Sequence, residues 1–151
     1  MARAVSSVLG VVLLVALVVL GAGTMSLALA SEPADPAPMA SLELAVDADA
    51  DRLAVTHRGG DPLDLTATTL RVEVNGRSLT HQPPVPFFAA SGFESGPAGP
   101  FNSASDDVWR PGETGTLVVA STNEPGIGPN STVTVRVFSD GTEIATLSAS
   151  A

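Results

Sequence analysis

The sequence predicts a single N-terminal hydrophobic α-helix, long enough to span a membrane, followed by an all-β, immunoglobulin-like sandwich. Three observations carry this. From Ala4 to Ser31 no residue bears a charge. From Leu42 onward the apolar residues alternate with polar ones, the period of a half-buried strand. Turn dipeptides then recur at short intervals, as they do in sandwiches of about 100 residues.

The elements follow in order. Val5–Ala30 is 26 largely apolar residues. As a helix it would run about 39 Å at ~1.5 Å per residue, against a hydrocarbon core of about 30 Å. Arg3 before it and Glu32 and Asp35 after it place the basic end on the cytoplasmic side and the remainder outside. "SEPADPAPMAS", residues 31–41, has three prolines and reads as a stiff extended linker. "LELAV" sets Leu42, Leu44 and Val46 on one face; "DADAD" turns the chain, and "RLAVTH" returns with Leu53 and Val55 inward. Asn75-Gly76 joins two alternating runs and is the dipeptide a type I′ hairpin prefers, because both central residues need positive φ. Leu70, Val72 and Val74 point in there. Pro111-Gly112 leads into a strand around Thr116–Ala120, and Asp140-Gly141 closes a second hairpin with Val133, Val135 and Val137 as its buried stripe. Residues 82–109 form a long irregular loop or carry one short strand near Val85–Phe88. The domain organisation is thus 1–4, 5–30, 31–41 and 42–151.

Composition excludes several functions. The chain has 151 residues, with 16 acidic residues against 7 basic ones, all of the latter arginine. Such a surface repels nucleic acid, whose phosphates need compensating cations. Acidity without lysine suits concentrated salt, in which like charges are screened within about 3 Å at 1 M. With no cysteine there are no disulfides, thiolate metal sites or cysteine nucleophiles. With no lysine there are no isopeptide cross-links, so any polymer is noncovalent.

Three fates are open to the apolar segment. "ALA" at Ala28–Ala30 before Ser31 offers a secretory cleavage site, but the run is longer than the ~7–15 residues of that class. An uncut signal anchor fits the length. The third fate rests on "RAVS" at Arg3–Ser6 and on "VSSVLGVVLLVALVVLGAGT" after it. This resembles the class III signal and N-terminal helix of archaeal type IV pilins, haloarchaeal ones included. The resemblance implies that a prepilin peptidase cuts between Ala4 and Val5, so that Arg3, Ala4 and Val5 define the leader junction. It further implies that the helix stays on the mature protein, rests in membrane lipid before assembly and then packs into a filament core. Two positions depart from the family pattern: Ser7 stands where proline is common, and Leu9 where bacterial pilins have a glutamate thought to pair with a neighbouring N-terminus. Registration of subunits must then rest on other contacts. Ser6 and Gly10, spaced i, i+4, give one small face for close helix approach.

The candidate chemistry is sparse. Asp47, Asp49 and Asp51 alternate like the opening of a calcium loop, yet Arg52 and Arg58 stand where that loop needs glycine and glutamate, so a solvated turn is expected. His57 and His81 are the only histidines. His57 in "THRGGD" would sit at a strand end near Asp61 and Asp64, without a nucleophile elbow or oxyanion donor. "TH-x-GGD" is similar to a strand-turn element of haloarchaeal pilin-like β-domains, and His57 is read as structural. No catalytic residue, metal site or cofactor is expected. Asn130 in "NST" is an N-glycosylation acceptor sequence. Phe87, Phe88, Phe93, Phe101 and Trp109 cluster within 23 residues. They are candidates either for contact with another subunit or surface or for sealing one end of the sandwich. The expected function is a structural pilus subunit, its partners the prepilin peptidase and other pilin subunits, its acidic β-domain outermost and adhesive. The alternative is a membrane-anchored β-sandwich binding module that forms no filament.

Overall fold

The computed structural model describes residues 2–29 and 35–151, and within the helix it describes the side chains of 6–20. The chain divides into two units, Met1–Pro36 and Ala37–Ala151. The first contains α1, Ala2–Leu29. One expectation is corrected here. Among the described residues, no helix is long and apolar enough to cross a membrane. The transmembrane helix over 5–30 and the single-pass membrane placement with an outer C-terminal domain are therefore both withdrawn. The expected linker residues 31–34 lie outside the described residues.

The second unit is β-sandwich-like. β1 (Ala40–Asp47), β2 (Arg52–Gly60) and β7 (Thr114–Val118) form one antiparallel sheet in the order β1-β2-β7. β4 (Thr68–Val74), β5 (Arg77–Ser78), β8 (Thr132–Ser139) and β9 (Thr142–Ser150) form the other, in the order β5-β4-β8-β9. β3 (Leu63–Asp64) and β6 (Val108–Trp109) make a small separate pair. Alternation decides which residues face inward. Leu53, Val55 and His57 of β2, Leu70, Val72 and Val74 of β4, Leu117 of β7, and Val133, Val135 and Val137 of β8 join one core. At roughly 25 cal/mol per Å² of apolar surface removed from water, this shared core is what holds a domain without disulfides.

The turns form as their dipeptides require. Asn75 and Gly76 have φ of 52° and 76°, and Asp140 and Gly141 of 48° and 78°, the paired positive values of type I′ geometry. The acidic turn has Asp51 at φ 47°, with Asp47 Oδ1 accepting the amides of Asp49 and Ala50 at 3.2 Å each. Two details differ from expectation. β1 begins at Ala40, within the expected linker, because Ala40 and Ser41 pair with Gly60 and Gly59 across a bulge at Ser41/Leu42. β2 accordingly runs past His57 instead of ending there. Near Val85–Phe88 there is no extended pairing; Phe87 makes only a single bridge to Asn102.

Candidate assembly surface

In α1 the residues from Ser6 to Leu20 carry no charge, and no polar stripe divides the helix into two faces. Val8, Leu9, Val11, Val12, Leu13, Leu14, Val15, Leu17, Val18, Val19 and Leu20 are between 56% and 73% exposed. Ordinary surface helices hide an apolar stripe and show a charged face; one that is apolar all round is the kind that becomes buried on every side. Covering what remains exposed is worth roughly 1–2 kcal/mol per large side chain. Summed along the helix, that rivals the ~4–15 kcal/mol that association costs in lost freedom. Ser6 and Gly10 are both exposed one turn apart, and an added Cβ at Gly10 would meet nothing within 4 Å. The expected small face is thus open to a neighbouring backbone. Arg3, Ala4 and Val5 fall in the first turns of α1, and their side chains lie outside the described residues.

The aromatic cluster is resolved by burial. Phe101 and Trp109 are fully buried, and Phe87 and Phe93 nearly so; only Phe88, 62% exposed, faces outward. Contact with another subunit or surface is therefore corrected for Phe87, Phe93, Phe101 and Trp109, which are core. The reason is geometric. Phe101 meets Trp109 edge to face at 5.1 Å, and Trp109 meets His57 in the same manner at 5.8 Å, so the three rings plug one end of the sandwich. Phe87 and Phe93 pack at 5.8 Å beside them.

His57 lies entirely inside this plug, its Nε2 2.8 Å from the Asp61 carbonyl oxygen. Among the described residues it meets no carboxylate: Asp61 Oδ2 accepts the Met39 amide, and Asp64 Oδ1 accepts the Thr66 amide and hydroxyl. Those Thr66 bonds, the hydroxyl first, hold the Asp64 carboxyl below its usual range. His81 is exposed and apart from this group. In the acidic turn Asp47 pairs with Arg52 at 2.7 Å, and among the described residues no group of three or more His, Asp or Glu is placed to hold a metal. Asn130 is exposed at φ 64°, two residues before β8, with its backbone amide donating to the Ala151 carbonyl.

Two residues that sequence reading did not single out organise the long loop. Asn123, 1% exposed, accepts the His81 amide at 2.9 Å and donates Nδ2 to the carbonyls of His81 and Gly92. Gln82 does the same for β4: its Oε1 accepts the Val72 amide, and its Nε2 donates to Val72 and Leu79. Each side-chain amide stands in for a missing strand. A primary amide carries both donor and acceptor, as a peptide does, but nothing local distinguishes these two from any loop Asn or Gln.

The chain is 31% identical over 121 residues to an uncharacterized protein of Archaeoglobus fulgidus, an alignment that covers 78% of this chain and 74% of the relative. It belongs to the same family as that archaeal protein. No family model matches the sequence.

Proposed function

We propose that this protein is a noncatalytic filament subunit of the archaeal type IV pilin kind, and that copies assemble through α1. The observation that carries the reading is the helix surface, apolar on every side and more than half exposed at eleven large residues from Val8 to Leu20. An archaeal relative is in keeping with it. Packing of several such helices removes that surface from water, and the Ser6/Gly10 face lets two backbones approach. Prepilin-type processing between Ala4 and Val5 would free the helix for this role. The acidic β-unit then forms the outer surface and makes the adhesive contacts, and Asn130 carries a glycan.

Two measurements test the reading. The intact mass of the protein from its native host is expected to start at Val5, and it reports a glycan on Asn130 at the same time. A chain beginning at Met1 or Ser31 refutes the processing. Leu14→Glu together with Val18→Glu places two charges on one helix face, and electron microscopy and sedimentation are expected to show filaments for the wild type and dispersed protein for the variant. Equal assembly of the two would refute the helix-packing role.

A further inference from the structure

The outer face of the four-stranded sheet holds a pairing that a folded domain ordinarily avoids. Arg71 of β4 and Arg136 of β8 are directly opposite in register, and both are exposed. Like charges at opposed positions destabilise a sheet. Three other arginines, Arg52, Arg58 and Arg110, are each ion-paired. Among the described residues Arg71 and Arg136 form no ion pair, and neither does Arg77 on the edge strand β5 of the same sheet, although the chain carries 16 acidic residues. Glu73 and Glu143 share the sheet, yet Glu73 forms no ion pair and Glu143 accepts the Thr146 hydroxyl instead. Beside Arg71 lies a shallow concavity of about 290 Å³, lined by Thr69, Arg71, Phe138 and Gly141. The face therefore offers two guanidinium forks next to an aromatic floor.

The same chain supplies a segment of complementary chemistry. In the β1–β2 turn, Asp47-Ala48-Asp49-Ala50-Asp51, the Asp47 carboxylate is committed to Arg52 and to two amides. Asp49 and Asp51 have no such commitment, and Asp49 and Ala50 are exposed. Residues two apart span at most about 7 Å, and directly opposed strand residues have Cα atoms about 4.5–5.5 Å apart. Two carboxylates and two guanidinium groups on flexible stems match at that spacing, and a guanidinium takes a carboxylate bidentately.

We infer that the Arg71/Arg136 face is an interface between copies of this chain, and that its occupant is the Asp49/Asp51 turn of a second copy. This rests on the assembly reading above and adds a lateral contact between β-units to the packing of the helices. Because donor and acceptor patches differ, the contact is heterologous and propagates from copy to copy, as a filament requires. It also explains how strongly acidic units can sit side by side.

The absence of cysteine makes a clean test. Full-length Ala50→Cys and Thr69→Cys variants are mixed and treated with a short bismaleimide, and sedimentation of the same samples reports assembly. A cross-link between the two variants is expected. Adding Arg71→Glu and Arg136→Glu to the Thr69→Cys chain should lower its yield about tenfold, and Asp49→Arg with Asp51→Arg in the Ala50→Cys chain should restore it. Emission of the single tryptophan, Trp109, verifies that each variant is folded. Absence of the cross-link, or a yield indifferent to both reversals, overturns the contact. If the samples still assemble, only this inference has failed; if they do not, the helix-packing reading has failed as well.

Discussion

Gly115 bears on how tightly the aromatic plug is built. It lies on the inward face of β7, paired with Val55, and a Cβ placed there would come within 2.6 Å of three ring carbons of Phe101. Ordinary contact is about 3.4–4 Å, so Gly115→Ala requires the ring to retreat by roughly 1 Å. Phe101 has nowhere to go, since it is fully buried with Trp109 at its edge and His57 beyond. Overpacking of this kind costs about 1–3 kcal/mol. The backbone at Gly115 is not left-handed, so alanine also regains about 0.4–1 kcal/mol from the unfolded chain, leaving a net loss of about 1–2 kcal/mol. With a urea m value of about 2 kcal/mol/M, the midpoint falls by roughly 0.5–1 M. Trp109 is the sole tryptophan and touches Phe101, so its emission during urea unfolding of the full chain is a direct probe. Phe101→Leu removes the ring atoms that the new methyl strikes. The double variant should therefore be more stable than the sum of the two single losses predicts, by about 1 kcal/mol. A Gly115→Ala midpoint equal to that of the wild type, or strict additivity in the double variant, would refute the claim that the plug is close-packed.

Other perturbations follow from the same contacts. Asn123→Ala leaves the His81 amide and carbonyl and the Gly92 carbonyl without their partner and should cost about 2–4 kcal/mol, read as a lowered urea midpoint. Asp64 is held below its usual range in the fold, so its contribution is present above the unfolded value of about 3.9 and is lost as pH falls through the lower folded value. Asp64→Asn, which keeps an acceptor for Thr66 and does not titrate, should therefore lose less stability than the wild type between pH 5 and pH 2. Gly76→Ala forces a Cβ onto a residue at φ 76° with open space around it; it should cost about 1–2 kcal/mol, and a loss below ~0.3 kcal/mol would show that the turn relaxes to another type. The Glu43–Arg58 pair is exposed and screened by solvent, so Glu43→Gln should leave the midpoint nearly unchanged.

What was legible beforehand was local. Positive φ at Asn75-Gly76 and Asp140-Gly141 is a property of those residues, and the inward stripes Leu70-Val72-Val74 and Val133-Val135-Val137 follow from the period of a strand. The string around His57 points to a structural role, and the fold places the ring in the plug. Its place inside β2 could not be read, because the strand is prolonged by Ala40 and Ser41 from beyond the acidic turn. The aromatics could not be assigned either. Proline and glycine around Phe87, Phe93 and Phe101 announce a loop, and whether loop aromatics turn in or out depends on whether the sandwich end is open.

By itself the sequence determined the apolar helix, the turns, the inward faces of β1, β2, β4 and β8 and the acidic surface, since each depends on residues a few positions apart. Only the tertiary structure decided that β2 pairs with β7, that side-chain amides from Gln82 and Asn123 complete the loop, and that Arg71 stands opposite Arg136. Those outcomes join residues 10 to 66 positions apart. Such pairings are chosen by which apolar faces can share one core, and that is a property of the whole chain.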